Sequence, residues 1–351
     1  MLENDSSGIQ NQPTMVGVLG RGILVSVVVP VYNDSDTIEK CLSSLAFQDY
    51  GKIEILVVND GSTDETPRII GGLASRDPRI RVIDIKHSGT SKAKNVGFKN
   101  AQGDVIFFGE GDAIYSEDYV KKSVECLAKD RAIGAVCVLG STWAERPTFV
   151  TRSINAENHI KHHLIHEGIM KPYFAWVFSR QALEEVGLYD SILKQAEDRD
   201  LFRRVQDAGY KIGLVEGVHW RHRREETIGE FARKSYAKGK RRIPYLAKWN
   251  RKSDFLRSVS VLWGILLLSG LSIIIPSMSW ALVGTIGLGL IYMYYRILSI
   301  GLRTPARRLD LLLLPVYQIV RHVSNAAGYT VGLFSYAYSR LIEPPLSSEK
   351  E

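Results

Sequence analysis

The chain has 351 residues, a formal net charge of +7 and three cysteines. That length is enough for one large domain plus something extra. Cys41, Cys126 and Cys137 form no close pair and no CxxC, which excludes a disulfide framework and fits reduced thiols in a cytosolic setting.

The chain opens with MLENDSSGIQNQPT, which is polar and lacks the basic start and apolar core of a signal peptide; residues 1–22 are expected to be a mobile tail. Residues 23–31, ILVSVVVPV, form a continuous β-branched run, the pattern of a strand buried on both faces of a parallel sheet. SDTIEKCLSSLAF follows with helical spacing of Ile38, Leu42, Leu45 and Ala46, and with Ser35 or Asp36 as N-cap. IEILVVND (53–60) reads as a second strand. TDETPRIIGGLA reads as a helix capped by Thr63 or Asp64. IRVIDI (80–85), SKAKNVGFKNA and DVIFFG (104–109) then read as strand, helix and strand. This alternation predicts an α/β sheet with crossover helices, and ligands in such a sheet sit beyond the carboxyl ends of the strands. Those ends carry Tyr32-Asn33, Asn59-Asp60 and Glu110-Gly111-Asp112. No GxGxxG follows the first strand and no Walker lysine loop is present, so neither a dinucleotide nor a P-loop site is indicated.

Further on, His159, His162, His163 and His166 have the spacing of one helical face. No catalytic motif surrounds them, so a wet face or part of a binding cleft fits better than a zinc site, which needs converging ligands and a second shell. Residues 195–204, QAEDRDLFRR, start an amphipathic helix whose apolar face is Leu201, Phe202 and Val205. The adjacent acids Glu197 and Asp198 cannot share a helix face. One can enter a cleft as a carboxylate base while the other is held outside it, although acids at a helix start also serve the macrodipole.

From Phe231 to Ser253 there is no acid but nine basic residues, Arg233 to Lys252. From Val259 to Ile300 the chain is nearly uncharged, in two apolar halves joined by PSMSW. Each half is close to the roughly 20 apolar residues that cross a bilayer. Both flanks are basic, with Arg296, Arg303, Arg307 and Arg308 on the far side, which places them in the cytoplasm. Membrane lipids rather than nucleic acid are then the expected partner of the basic run. The segment after Arg308 is apolar but broken by Pro315 and by Arg321-His322, so one or two interfacial helices are expected, with a third crossing as the alternative.

Five motifs in order resemble the family 2 glycosyltransferases with their GT-A fold: VSVVVPVYND, VVNDGSTDET, GTSKAKNVGFKNAQGDVIFF, the EGD of residues 110–112 and QAEDRDLFRRVQDAGYKI. The resemblance spans residues 23–225. It implies a GT-A-type α/β domain with a mostly parallel sheet over 23–230; the charge and hydropathy pattern adds a basic juxtamembrane segment at 231–255, two transmembrane helices within 256–301, interfacial helices or a third transmembrane helix within 302–342 and a tail at 343–351. The resemblance also implies roles. Pro30, Tyr32, Asn33 and Asp60 would hold the nucleoside, Lys94 and Asn95 the diphosphate, and Glu110 would take part in donor binding. Asp112, Glu110 and His222 would bind Mg2+ or Mn2+; His219 is the second histidine at that position, and a basic surface loop is the competing reading of both. Asp198 would be the base and Glu197 would orient the acceptor. Trp176 would stack on the acceptor sugar, with core packing as its alternative. Two positions depart from the family pattern: Glu110 stands in the place of an Asp, and Lys94 stands where Arg is common and loses the bidentate fork.

The expected activity is inverting transfer from a nucleotide-diphosphate sugar, of UDP type, to a hydroxyl of a lipid-linked saccharide at the cytoplasmic membrane face. A polyprenyl-phosphate acceptor is the alternative, but that anion needs no base. A non-catalytic nucleotide-sugar-binding scaffold is the rival motivated by Glu110 and Lys94. A processive synthase is disfavoured because no QxxRW run is present.

Overall fold

The computed structural model describes residues 22–275 and 308–342, apart from 140, 144–146 and 216, together with scattered positions between 284 and 299. In chain order the elements are β1 (Val25–Val31), α1 (Ile38–Ala46), β2 (Ile53–Asn59), α2 (Thr66–Ala74), β3 (Ile80–Asp84), α3 (Thr90–Asn100), β4 (Val105–Phe108), β5 (Ala113–Tyr115), α4 (Tyr119–Ala128), β6 (Ile133–Val138) and β7 (Ser141–Trp143). They continue with α5 (Phe149–His166), β8 (Val177–Ser179), α6 (Arg180–Val186), α7 (Glu197–Asp207), β9 (Lys211–Val215), β10 (Trp220–Arg223), α8 (Ile228–Arg241), α9 (Ile243–Lys248), α10 (Lys252–Ile274) and α11 (Arg308–Ile342). The chain divides into two compact units. Unit 1 is the chain up to Leu139 with Pro172–Tyr189 and Leu201–Trp220; unit 2 is Gly140–Lys171, Asp190–Asp200 and the chain from Arg221 onward.

Unit 1 is built on a seven-stranded sheet in the order β3-β2-β1-β4-β8-β6-β9. The continuous apolar runs arise because both faces of its centre are covered. Val25, Val27 and Val29 of β1, Ile55 and Val57 of β2, and Val105 and Phe107 of β4 enter one core with α1 and α4. Val28, Leu56, Val58, Ile106 and Phe108 enter the other with α3, α6 and the later residues of α7. Alternate side chains of each strand thus serve opposite layers. β1, β2, β3 and β4 are parallel as expected. β8 enters antiparallel to both β4 and β6, a reversal no sequence period announces.

The expected cap of α1 is replaced, whereas Asp64 does accept at the start of α2. α1 begins at Ile38, and the turn before it is held by the Asp34 carbonyl, which accepts from Thr37 and Ile38 N–H, not by a Ser35 or Asp36 side chain. α2 begins at Thr66, whose N–H donates to Asp64 Oδ1 at 3.0 Å.

Unit 2 is mainly helical. Capping boxes at Thr148–Thr151 and Thr227–Glu230 start α5 and α8. Val150, Ile154 and Ala156 of α5 pack with Phe231 of α8 and Leu311, Leu314 and Tyr317 of α11. α8 and α11 approach at backbone distance: a Cβ on Gly328 would lie 2.1 Å from the Tyr236 carbonyl oxygen, and one on Gly239 2.4 Å from that of Asn325. Arg321 of α11 donates to both carboxylate oxygens of buried Glu157, at 2.6 and 2.7 Å. In the same unit β10 runs parallel to β7, pairing Arg221 with Ser141.

The C-terminal expectations need correction. The tail expected to hold one or two helices is a single 35-residue helix that runs through Pro315. The basic stretch 231–255 is folded into α8, α9 and the start of α10. Among the described residues no helix is long and apolar enough to cross a membrane. α10 starts on the charged sequence Lys252-Ser-Asp254, and PSMSW with most of the second expected crossing lies outside the described residues. The transmembrane hairpin is therefore not an observed part of the fold.

Candidate active site

In unit 1 the strand-end residues knit two loops into one rim. Asn33, at φ 54°, accepts from Thr63 N–H at 2.8 Å through Oδ1, and its own N–H donates to Ser62 Oγ at 3.1 Å. Gly61 takes φ 72°, where a Cβ would also lie 2.9 Å from the His87 nitrogen, so only glycine fits that turn. Asp60 is 3% exposed. Its carboxylate accepts from the N–H groups of Ser88 at 2.7 Å and Gly89 at 2.8 Å, just before α3. The Ser88 hydroxyl also donates, to Asp60 Oδ1 at 3.2 Å, so the cradle fixes the Asp60 carboxylate in place.

Beside it stands His87, a residue outside the five sequence motifs. His87 Nδ1 is 3.1 Å from Asp60 Oδ2, and the imidazole lies against the half-exposed Tyr32 ring with centroids 4.1 Å apart. Its signal was present in the sequence: a lone histidine directly after the third strand, on the rim where the first two strands also end.

The Glu110-Gly111-Asp112 turn leaves β4 and is closed by Ala113 N–H donating to the Glu110 carbonyl oxygen, which also accepts from the Cys41 thiol at 3.2 Å. Tyr115 Oη accepts from Glu110 N–H at 2.8 Å. Gly111 permits close approach of Asp34: a Cβ there would sit 2.9 Å from Asp34 Oδ2. Burial pushes the Asp34 carboxyl up to about 6; the charges of Asp112, Asp64 and Glu110 add to the rise, against a hydrogen bond from Tyr32 N–H. The acids of this turn and of β1's end therefore share a strongly negative field, and their hard oxygen donors suit Mg2+ or Mn2+. Asp34 was not singled out from sequence, because only the fold brings it to residue 111.

Lys94 and Asn95 sit early in α3. Lys94 is buried, its Nζ 4.6 Å from the centre of the Tyr189 ring. Asn95, expected over the diphosphate, instead clips the backbone of Tyr189: it donates to that carbonyl at 2.8 Å and accepts from that N–H at 3.0 Å. Its amide is committed to holding the chain before residue 190. Trp176, the expected acceptor platform, is only 9% exposed and lies in the core against Trp220, centroids 4.3 Å apart. Its Nε1–H has no hydrogen-bond partner among the described residues, whereas that of Trp220 donates to the Val138 carbonyl at 3.0 Å.

In unit 2, α7 opens on Glu197 and Asp198, both half-buried. Asp198 precedes Leu201, Phe202 and Val205 by three, four and seven positions, so it crowns the buried face of the helix, while Glu197 is turned about 100° away. The residue before them, Ala196, takes φ 66°, a conformation costing a Cβ-bearing residue roughly 1–2 kcal/mol. His222 is on β10, with Nδ1 2.5 Å from the Arg223 carbonyl oxygen. His159, His162, His163 and His166 lie along α5. Burial pulls His162 down to about 4, helped by the charges of His159 and Lys161.

Residues 26–187 match the family model "Glycosyl transferase family 2". The uncharacterized glycosyltransferase EpsJ of Bacillus subtilis is 32% identical over 184 residues, which cover 50% of this chain and 54% of EpsJ. The glycosyltransferase AglE of Haloferax volcanii is 27% identical over 226 residues, covering 62% of this chain and 73% of AglE. The chain thus spans only about half of EpsJ. Among solved structures, the mannosyltransferase PcManGT from Pyrobaculum calidifontis, in complex with GDP-Man and Mn2+, is 20% identical with 87% of each chain covered and a TM-score of 0.53, a likeness of the GT-A-type fold. Residues 26–187, a little under half of the chain, are accordingly identified by their match to glycosyl transferase family 2.

Proposed function

We propose that this chain is an inverting glycosyltransferase, moving a sugar from a nucleoside-diphosphate donor of UDP type to a hydroxyl of a lipid-linked saccharide at the cytoplasmic face of a membrane. The observation that carries the reading is the Glu110-Gly111-Asp112 turn crowding Asp34 beside the fixed carboxylate of Asp60, inside a family 2 domain. PcManGT, of similar fold, was solved with a sugar nucleotide and Mn2+, which is consistent with a donor of this class and a divalent cation.

Unit 1 supplies the donor groups. Asp60 accepts from the imide of the base, and Pro30, Tyr32, Asn33 and His87 wall the nucleoside. Asp112, Glu110 and His222 are the candidate ligands that would hold the divalent cation. When bound, that cation acts as a Lewis acid that offsets the charge growing on the leaving diphosphate. Lys94 adds positive charge for the same anion. Unit 2 supplies Asp198. The acceptor oxygen forms its bond to the anomeric carbon as the bond from that carbon to the phosphate oxygen breaks, and the hydroxyl proton passes to the Asp198 carboxylate. Glu197 accepts a second acceptor hydrogen bond and orients it. One displacement inverts the anomeric centre.

The lipid-linked acceptor and the membrane face find support in unit 2. α10 leaves Leu256, Trp263, Leu266, Leu267, Ile273 and Ile274 exposed, and the sequence of α8 is rich in Lys and Arg. Apolar exposure next to basic charge suits an anionic lipid surface.

The test is a donor screen on the whole chain in lipid, with UDP-glucose, UDP-N-acetylglucosamine, UDP-galactose and GDP-mannose, Mn2+ and a lipid extract as acceptor. One donor should release its nucleoside diphosphate, EDTA should stop the release, Mn2+ should restore it, and the new linkage should be inverted. Tight binding of UDP with no release from any donor would identify a non-catalytic nucleotide-sugar-binding protein instead.

A further inference from the structure

The segment that carries Glu197 and Asp198 is gripped at both ends by a single ammonium group. Lys248 Nζ, at the end of α9, lies 2.8 Å from Asp190 Oδ2 and 2.8 Å from Asp200 Oδ1. The indole of the next residue, Trp249, donates to the same Asp200 Oδ1 at 2.8 Å. Asp200 is fully buried. Between the two gripped acids, Leu193 and Ala196 sink among Ile243, Tyr245 and Leu246 of α9. The positive φ of Ala196 shows that the segment does not rest at its own conformational optimum. Something outside it holds it, and the contacts above are what do so within unit 2.

Helical geometry separates this grip from the carboxylate it would serve. Asp200 is two positions after Asp198, so the two side chains leave α7 about 200° apart. Lys248 and Trp249 therefore hold the side of the helix start opposite to Asp198. Burial opposes the charge on Lys248, but hydrogen bonds to Asp190 and Asp200 outweigh it and raise the ammonium above its ordinary range, so the grip is charged at neutral pH. The third acid of EDRD, Asp200, and Lys248 in the distant α9 are thus one device, whereas in the sequence Lys248 reads as part of a basic run.

We propose that Lys248 and Trp249 are positioning residues for the acceptor-side carboxylates, clamping residues 190–200 so that Asp198 meets the acceptor hydroxyl. The inference rests on the reading of Asp198 as base. A clamp of this kind acts on the rate of transfer and not on the donor. A misplacement of about 1 Å suffices to cost roughly 100-fold in rate.

Three variants test it: Lys248→Arg, Trp249→Phe, and Lys248→Met combined with Asp200→Asn, which removes the bridge without stranding a buried charge. Three readouts apply: kcat and donor KM for transfer, calorimetric affinity for Mn2+·UDP, and amide exchange over residues 190–200. In the double variant kcat should fall roughly 10- to 100-fold. Donor KM and Mn2+·UDP affinity should stay within about twofold. Exchange over 190–200 should quicken, with a smaller effect in Trp249→Phe. Lys248→Arg, which keeps the charge, should recover most of kcat and of the exchange protection. Unchanged kcat and unchanged exchange in the double variant overturn the clamp. So does a fall in kcat matched by an equal loss of Mn2+·UDP affinity, which marks general damage. If the native chain transfers no sugar at all, the enzymatic reading fails on its own, and quickened or unchanged exchange over 190–200 still decides whether the clamp exists.

Discussion

Asp60, Asp112 and Asp198 are candidates that the sequence alone could single out, because each follows a strand or starts a helix. Their partners are not. His87 reaches Asp60 across 27 positions, and Asp34 reaches Gly111 across 77, distances that local spacing does not encode. Asn95 shows the opposite failure: its motif was read correctly, but its amide is spent on the Tyr189 backbone. Two expectations follow for single residues. Asp112→Asn should weaken Mn2+-dependent UDP binding by about 10- to 100-fold, and Glu110→Gln by less, since its longer side chain reaches a cation more loosely; calorimetry with and without Mn2+ measures both. Asp60→Ala strips the acceptors from the Ser88 and Gly89 N–H groups. It should lower stability by about 1–3 kcal/mol in urea as well as abolish UDP binding.

At the scale of elements, the parallel strands β1, β2 and β4 were readable because each is mostly apolar on both faces, the pattern of a sheet sandwiched by helices. The antiparallel β8 and the single long α11 were not. β8 is three residues long, and α11 keeps its continuity past Pro315 through packing on α5 and α8 that periodicity cannot show. That packing predicts two behaviours. Gly328→Ala would push a methyl group onto the Tyr236 carbonyl, so it should destabilise unit 2 by about 1–3 kcal/mol, seen as a lower melting temperature. Burial of Glu157 opposes its ionisation, but the charges and hydrogen bonds of Lys161 and Arg321 outweigh it and hold the carboxyl at about 2, from an ordinary 4.5. A depressed folded pKa means that this stabilisation is complete above pH 4.5 and is lost as pH falls toward 2. Glu157→Gln should flatten that part of the acid melting profile while lowering stability at neutral pH.

For the whole molecule, the excess of basic over acidic residues was visible in the composition, but its destination was misplaced in part. The run after Phe231 reads as a basic juxtamembrane segment; it is largely folded helix, with Lys248 turned inward to two carboxylates. The exposed apolar residues of α10 remain the element suited to lipid. The full chain should therefore float with vesicles containing anionic phospholipid, and less well in high salt or with neutral lipid alone.

The central claim is that Asp198 is the base that acts on the acceptor and takes no part in donor binding. Asp198→Asn tests it most directly, with sugar transfer and Mn2+·UDP affinity measured side by side on the same preparation. Transfer should fall by at least about 1,000-fold while affinity stays within about twofold of the native chain. Normal transfer by the variant, or loss of UDP affinity in step with transfer, would contradict the account.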